Sequence, residues 1–345
     1  MIKKLHLQNF KSFLNQDIVF APLTVLTGTN ASGKSTIIQE IRMIKKSYID
    51  EKSSPLLNTF DVPKNLKSKL SKDNYFIISF STGLEQYSTG IRSIESDSYK
   101  INEREKNIDD EKLHNIHYVS ADRFGPKNQL PIGNTSEIEN VGAYGEYVIS
   151  FIDKFKYTEV SQFLKLNDED ENLISNINSW LGIISIDTKL TYKMETSQNI
   201  YYPFYNDIVP SETAYGLSFS LPIITELLYC GEEQILLIEN PEAHLHPYAQ
   251  SKLGELIARA VKTGKQVIVE THSDHIIDGI RIAVKRGIIE YNQVIFHYLS
   301  RDDFNEPTKI ETPQIDAVAK LSFWPKGFFD QSLIDKAILS RKTNE

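Results

Sequence analysis

The arrangement of apolar and polar positions along the chain predicts an α/β protein. Near the N-terminus, apolar residues alternate or cluster over 2–7, 16–20 and 23–27, which predicts three strands. Farther along, residues 235–238 and 266–270 are largely apolar runs. Such runs are typical of strands that are buried on both faces of a parallel sheet. The pattern therefore predicts a central sheet with both faces covered.

Between these strands, apolar residues recur at helical spacing. One helix is predicted from Gly33 to about residue 44, a second opens at 142–146 and runs through Phe155, and a third covers 168–180, where an acidic start suits the helix dipole. Strands are predicted near 183–205. None of these segments carries a sustained heptad repeat, so we expect no long coiled coil.

Composition narrows the class of protein. The chain has 345 residues, 40% of them hydrophobic and 24% charged, which permits a sizeable core. Its single cysteine, Cys230, excludes a disulfide framework. The N-terminus is too polar for a signal sequence, and no apolar run approaches the ~20 residues that span a membrane. We therefore expect a cytoplasmic protein with no membrane partner. The net charge of −8 disfavours a surface devoted to nucleic acid but is compatible with a local basic groove.

One short motif carries the most specific chemistry. It follows the strand at 23–27, precedes the first helix, and fits the pattern G-x-x-x-x-G-K-[ST] of a phosphate-binding loop. Its glycines let backbone N–H groups and the helix N-terminus point at phosphates. Lys34 is predicted to reach the β- and γ-phosphates of a triphosphate, Ser35 to bind Mg²⁺, and Thr36 to touch the α-phosphate. The predicted nucleotide-binding residues here are Gly28, Thr29, Asn30, Ala31, Ser32, Gly33, Lys34, Ser35 and Thr36.

Acidic and histidine residues follow the two later strands. Glu239 ends the run at 235–238, where P-loop enzymes place the acid that holds the Mg²⁺ water shell, and we assign it that role. His272 follows the strand at 266–270, where it can donate to a γ-phosphate or hold the attacking water. A zinc site built from His244 and His246, with His272 and His275 as further ligands, is a weaker alternative, because the spacing fits no recurrent zinc pattern.

Two further places offer anion-binding or charged groups. Residues 212–220 open a helix whose first-turn N–H groups, together with the Ser218 hydroxyl, form a second anion-binding end near Gly216. Arg123 follows a predicted buried strand at 116–120. At that position it faces either a phosphate or a partner subunit, or it forms an ion pair with Asp122.

Taken together, these landmarks resemble the ABC-type ATPases of the SMC, RecF and OLD group. The resemblance rests on the phosphate loop, Tyr215–Ser218, Glu239–Pro247 and Thr271–His275, and the opening Asn9–Phe13 is also similar to that group. The ending 324–330 resembles a C-terminal segment of a bacterial subfamily of uncharacterised ATPases.

The resemblance implies a P-loop NTPase of α/β class, in which residues 1–345 form one ABC/SMC-like head with an antiparallel N-terminal β lobe. Within it we expect an inserted β lobe with flexible loops over 45–115 and a helical/β lobe over 142–205. It also implies a head-to-tail homodimer that encloses two nucleotides, with the loop of one protomer facing Gly216 and Ser218 of the other.

Two departures from the family pattern bear on catalysis. Asn240 stands where many ABC ATPases have the catalytic glutamate, and an amide positions water but takes no proton. Glu242 is a possible substitute, and we expect slow hydrolysis. The Leu-Ser-Gly-Gly signature is reduced to Gly216-Leu217-Ser218, which weakens the case for tight ATP-driven closure.

Several functions fit this sequence. The first is a slow ATPase that switches a protein effector, such as a separate nuclease, in bacterial anti-phage defence. The second is a RecF-like repair ATPase that binds duplex DNA, and the third is a scaffold that holds nucleotide without hydrolysis. A small-molecule kinase would leave Ser218 and His272 unexplained.

Overall fold

The computed structural model describes residues 1–49, 63–82, 86–91, 111–134, 136–229, 233–327 and 331–340. Cys230 lies outside the described residues, as do parts of the predicted 45–115 lobe and of the segment 324–330.

The described chain alternates strands and helices. Its strands are β1 (Lys4–Phe10), β2 (Phe13–Val19), β3 (Leu23–Gly28), β4 (Phe76–Ser81), β5 (Gln86–Ile91), β6 (Ile116–Val119), β7 (Leu130–Pro131), β8 (Leu190–Glu195), β9 (Ile200–Tyr205), β10 (Ile235–Glu239), β11 (Gln266–Glu270), β12 (Val294–Ser300) and β13 (Lys309–Glu311). Its α-helices are α1 (Lys34–Ile49), α2 (Pro63–Leu66), α3 (Glu111–His114), α4 (Val148–Phe155), α5 (Leu173–Ile184), α6 (Tyr215–Leu228), α7 (Pro247–Val261), α8 (Asp274–Lys285) and α9 (Gln331–Ser340).

A six-stranded sheet forms the centre, in the order β13-β12-β3-β11-β10-β6. Its strands are parallel except β13, which pairs antiparallel with β12. Side chains of β10 alternate between two buried clusters, Ile235 and Leu237 on one face and Leu236 and Ile238 on the other. Both faces of the sheet are therefore covered, and the predicted α/β P-loop fold is confirmed.

The two faces are covered by different parts of the chain. On one face, α1 contributes Ile38 and Ile41, which join Leu5 and Leu7 of the N-terminal sheet in one cluster. This N-terminal sheet is antiparallel and runs β2-β1-β4-β5, so the described strands of the 45–115 interval extend it from β1. Helices α6, α7 and α8 cover the other face. The boundaries of the two predicted lobes stay a prediction.

Two helix starts differ from the prediction. The helix predicted over 168–180 begins at Leu173, because Asn172 caps it in a reciprocal capping box with Ser175, and the acidic residues precede the cap. The helix predicted to open at 142–146 begins at Val148, because residues 142–147 form turns in which Gly142 and Gly145 have φ of 83° and 75°.

Candidate active site

The phosphate loop connects β3 to α1 and leaves no room for side chains at its two glycines. Gly28 has φ 137°, and a Cβ atom there would lie 1.9 Å from the carbonyl oxygen of Leu299 on β12. Gly33 has φ 101°, and its Cβ would lie 2.8 Å from the ring of Phe13. Because both positions are left-handed and crowded, glycine is required at each. The loop is thus a backbone cradle of the kind that binds phosphates.

Lys34 begins α1 and turns its ammonium group back onto the loop. Its Nζ donates to the carbonyl oxygens of Gly28 at 3.1 Å and Thr29 at 2.7 Å. Burial lowers the pKa of Lys34, while the carboxylates of Glu270 and Glu242 act against that shift. The predicted phosphate-binding lysine is therefore held inside the loop, close to two acidic side chains.

The Ser35 hydroxyl donates to the Glu270 carboxylate at 2.9 Å. Glu270 ends β11, which lies between β3 and β10, and it is a site residue that the sequence reasoning missed. Burial raises the pKa of Glu270 to about 7, and the nearby charge of Glu239 adds to that rise. The second carboxylate oxygen of Glu270 is buried and has no hydrogen-bond partner among the described residues.

Glu239 ends β10 in register with Glu270, so the two carboxylates lie on neighbouring strands. Its carboxylate accepts hydrogen bonds from the Tyr118 hydroxyl at 2.9 Å and from the Ala121 N–H at 3.2 Å. Burial and the charge of Glu239 raise the pKa of Tyr118, so this hydroxyl remains a donor. Glu239 is thereby oriented by β6.

Asn240 and Glu242 form the turn that follows β10. Asn240 has φ 46°, and its side-chain oxygen is buried without a hydrogen-bond partner in the described chain. The two carboxylate oxygens of Glu242 accept from the Thr271 hydroxyl at 2.7 Å and from the His272 N–H at 2.8 Å. Glu242 thus joins the turn after β10 to the turn after β11.

His272 lies in the turn after β11, close to Lys34. Burial lowers the pKa of His272, the positive charge of Lys34 lowers it further, and Glu242 partly opposes both. The imidazole is therefore neutral at pH 7, with one nitrogen able to donate and the other able to accept.

Arg123 is 2% exposed and binds backbone carbonyl groups at the junction of β6, β10 and α6. Its guanidinium donates to the carbonyl oxygens of Phe219 at 2.6 Å, Ser120 at 2.9 Å, Glu239 at 2.9 Å and Asn240 at 2.7 Å. Buried main-chain oxygens occupy the Arg123 donors in place of a phosphate or the Asp122 carboxylate, so these two sequence-based alternatives are wrong, and the partner-subunit alternative stays a prediction. Burial lowers the pKa of Arg123 to about 10, so it stays charged at neutral pH.

The second predicted anion-binding end is the start of α6. Ala214 precedes this helix and provides no side-chain cap. The Leu217 N–H donates to the Ala214 carbonyl oxygen at 3.0 Å, whereas the N–H groups of Tyr215 and Gly216 have no partner among the described residues and are available to an external acceptor. A Cβ at Gly216 would lie 2.7 Å from the carbonyl oxygen of His244, which shows how closely the helix start packs on the turn after β10. The Ser218 side chain is half-buried and lines a small cavity together with Tyr205.

Within one protomer, the start of α6 is remote from the phosphate loop. Arg123 and His244 fix α6 near the ends of β6 and β10, whereas the loop follows β3. The start of α6 packs on the turn after β10, and β11 stands between β10 and β3, which gives a separation of about 10 Å at the usual strand spacing of ~4.8 Å. The fold therefore brings together the loop, Glu270, Glu239, Glu242 and His272, but not Gly216 and Ser218.

In the zinc alternative, His244 and His246 both have structural roles. The His244 ring lies 4.4 Å from the ring of Phe219, and His246 caps α7 by accepting from the Tyr248 N–H.

A family model with the printed description "AAA domain, putative AbiEii toxin, Type IV TA system" matches residues 23–278. The match covers well over half of the chain and includes the loop and every acid discussed above. The chain belongs to this AAA-domain family. A second model, a protein of unknown function (DUF3696), matches residues 289–339. No curated protein matches the chain.

Solved structures show the same fold as this AAA domain. The crystal structure of the SmcHead bound to the C-winged helix domain of ScpA is 15% identical, with a TM-score of 0.52 over 91% of this chain and 98% of that one. The Smc head domain with an extended coiled coil, bound to the C-terminal domain of ScpA and derived from Pyrococcus furiosus, is 12% identical, with a TM-score of 0.50 over 99% of each chain. The resemblance of the AAA domain to the SMC group is thus confirmed at the level of the fold.

The donor set of the AAA domain suits Mg²⁺. A serine hydroxyl and two carboxylates are hard oxygen ligands, and the unpartnered oxygen of Glu270 provides a free acceptor beside Ser35. Glu270 could have been found from the sequence by the same rule that identified Glu239, because it also ends an apolar run. No helix among the described residues of the AAA domain has the length and apolarity needed to cross a membrane.

Proposed function

We propose that this AAA domain is a slow, Mg²⁺-dependent ATPase that works as a nucleotide-controlled switch. The observation that carries the proposal is the Ser35–Glu270 hydrogen bond of 2.9 Å at the mouth of a glycine cradle, with Glu239 on the next strand. It places a serine hydroxyl, two carboxylates and the buried Lys34 around one position. These are the groups that P-loop enzymes use to hold a triphosphate and its metal.

In this proposal each residue has a defined task. Lys34 binds the β- and γ-phosphates, the loop N–H groups bind the phosphate oxygens, and Thr36 contacts the α-phosphate. Ser35 and Glu239 are the predicted Mg²⁺ ligands, and Glu270 joins them through its free carboxylate oxygen. When bound, Mg²⁺ neutralises charge that develops on the transferred phosphoryl group.

Water activation is the step at which this chain departs from faster enzymes. Asn240 orients water through its unpartnered side-chain oxygen but accepts no proton. Glu242 is engaged by Thr271 and by the His272 N–H, so it must release a partner before it acts as a base. Slow turnover follows from this arrangement.

Dimerisation around nucleotide accounts for the second anion-binding end. The start of α6 lies about 10 Å across the sheet from the loop of its own protomer, which is beyond hydrogen-bonding distance, so we assign it to the loop of a second copy. The N–H groups of Tyr215 and Gly216 supply the contact in this assignment, and the Ser218 hydroxyl is a further donor. ATP-dependent dimer formation in analytical ultracentrifugation tests this assignment.

We further propose that the switch controls a separate effector protein, such as a nuclease, in anti-phage defence. The support is that the described residues hold one catalytic constellation, at the phosphate loop, and that the family description names a toxin–antitoxin system. Purification together with the products of neighbouring genes tests the proposal, because an effector should co-elute in a fixed ratio.

The ATPase assignment is tested by phosphate release from Mg²⁺-ATP. Lys34→Ala should abolish binding and release, whereas Lys252→Ala, which removes a surface lysine paired with Glu255 on α7, should change neither. Persistent activity in the Lys34 variant would refute the assignment.

A scaffold that retains ATP without hydrolysing it is the second candidate, favoured by Asn240. Tight retention of ATP with no phosphate release would support this function over the ATPase. A RecF-like repair function predicts instead ATP-dependent binding of duplex DNA that weakens steeply with salt.

A further inference from the structure

A cavity of about 380 Å³ opens beside the phosphate loop. One of its walls is the loop and the start of α1, including Thr36. Because Thr36 occupies the α-phosphate position of the motif, the cavity lies where the nucleoside part of a nucleotide leaves the loop. The far wall contains Lys11 between β1 and β2, Lys67 after α2, and Arg301 and Phe304 between β12 and β13.

The connection between β12 and β13 is fixed against the phosphate loop at both of its ends. Before it, the Leu299 carbonyl oxygen on β12 accepts from the Thr29 N–H at 3.0 Å. After it, the Thr308 hydroxyl lies 2.7 Å from the carbonyl oxygen of Ser32 and 2.7 Å from the hydroxyl oxygen of Ser12. The position of Arg301 and Phe304 is therefore tied to that of the loop.

These two side chains form a stacking surface. Phe304 is 80% exposed, and the Arg301 guanidinium lies 5.5 Å from the centre of its ring. Arg301 is held in place because it donates to the carbonyl oxygens of Phe304 and of Glu306. An accessible aromatic ring beside a planar guanidinium is the surface on which nucleobases stack, since every base has a π-face. A large aromatic side chain in water at the rim of a polar cavity otherwise has no packing role.

We infer that Phe304 and Arg301 form the base-binding subsite for the nucleotide held by the phosphate loop. The inference rests on the proposed function and extends it, because it states which residues bind the nucleoside part of a nucleoside triphosphate. It also gives a role to the segment 289–339, which the family of unknown function covers. That segment completes the nucleotide site from the C-terminal side.

The test compares a ligand that has a base with one that lacks it. Binding of ATP and of inorganic tripolyphosphate is measured by calorimetry, each with Mg²⁺, for the full chain and for Phe304→Ala and Phe304→Trp. Tyr157→Ala is the matched control, because this tyrosine is 78% exposed and lies outside the cavity. Lys34→Ala, which removes the phosphate contact, is measured alongside.

We expect Phe304→Ala to weaken ATP binding about tenfold, the usual effect of losing one base–aromatic stack, and to leave tripolyphosphate binding unchanged. Phe304→Trp should retain ATP affinity, and Tyr157→Ala should alter neither ligand. Unchanged ATP affinity in Phe304→Ala, or an equal loss for both ligands, would overturn the inference.

Failure of the proposed function gives a different result. In that case the unmodified chain binds neither ATP nor tripolyphosphate, or Lys34→Ala binds both as well as the unmodified chain does. Failure of the base subsite alone leaves the Lys34 dependence intact and removes only the Phe304 dependence.

Discussion

Replacing Arg123 by alanine removes four hydrogen bonds from the junction of β6, β10 and α6. The acceptors are main-chain carbonyl oxygens, and Arg123 is itself 2% exposed. Because its pKa, although lowered to about 10, lies well above 7, the donor is charged at neutral pH. Each bond of this kind contributes roughly 1.5–3 kcal/mol.

The loss is smaller than the sum of the four bonds. Full loss of the four bonds would cost roughly 6–12 kcal/mol. Two effects reduce this cost: water can enter the space that alanine leaves, and alanine avoids the side-chain entropy, up to about 2 kcal/mol, that arginine loses on folding. We expect a decrease of about 4 kcal/mol in the free energy of unfolding, which is in the range for breaking a buried polar network. With a urea m-value of about 3 kcal/mol/M, the midpoint should fall by about 1.3 M.

Urea unfolding followed by circular dichroism measures this midpoint. Arg123→Lys keeps a charge but has fewer donors in a different geometry, so its midpoint should lie between those of the alanine variant and the unmodified chain. Arg286→Ala is the matched control, because this arginine is 59% exposed and its ion pair with Glu255 is long, at 3.8 Å, so its loss should cost at most about 1 kcal/mol. An Arg123→Ala midpoint equal to that of the control would show that the carbonyl contacts do not stabilise the junction.

Three further substitutions test the acid pair, the start of α6 and the link through Glu242. The unfolded chain loses the Glu270 proton near the ordinary pKa of 4.5 and the folded chain near 7, so ionisation should cost up to about 3 kcal/mol of stability as pH rises through that window. In Glu270→Gln, the free energy of unfolding measured with urea in the absence of Mg²⁺ should therefore decrease less between pH 5 and 8 than it does in the unmodified chain. An equal decrease in the two proteins would contradict this account. Gly216→Ala should lower stability by about 2 kcal/mol through its clash with the His244 carbonyl, whereas Gly182→Ala, in open space on α5, should raise it by about 0.5–1 kcal/mol; similar midpoints would refute the packing argument. Glu242→Gln should lower the His272 pKa further, because it removes a charge that raises it, and an NMR titration showing a rise would contradict this electrostatic account.

The sequence predicted the parts of the site that depend on local order. The phosphate loop and His272 each follow a strand and Glu239 ends one, so their place at one edge of a parallel sheet follows from strand order alone. The pairing of Ser35 with Glu270 was missed because it joins residues 235 positions apart and depends on β11 lying directly beside β3. The amino-acid sequence alone does not determine which strands, so far apart along the chain, become neighbours in the sheet.

Contacts with the main chain were the other source of error. Arg123 was expected to meet a charged group, yet its acceptors are carbonyl oxygens, which have no signature in the sequence. The start of α5 was misplaced because acidic residues favour a helix N-terminus only in a general way, whereas the reciprocal Asn172–Ser175 bonds fix it at one residue. The capping hydrogen bonds, and not the interaction of the acidic residues with the helix dipole, therefore determine where α5 begins.

The close approach of Gly28 to Leu299 has a consequence for how the chain divides. β3 lies between β11 and β12, so a fragment that stopped before β12 would expose the open side of the strand that bears the phosphate loop. An exposed strand side of this kind pairs readily with other chains and promotes aggregation. We therefore expect the regions matched by the two family models, 23–278 and 289–339, to depend on one another for folding.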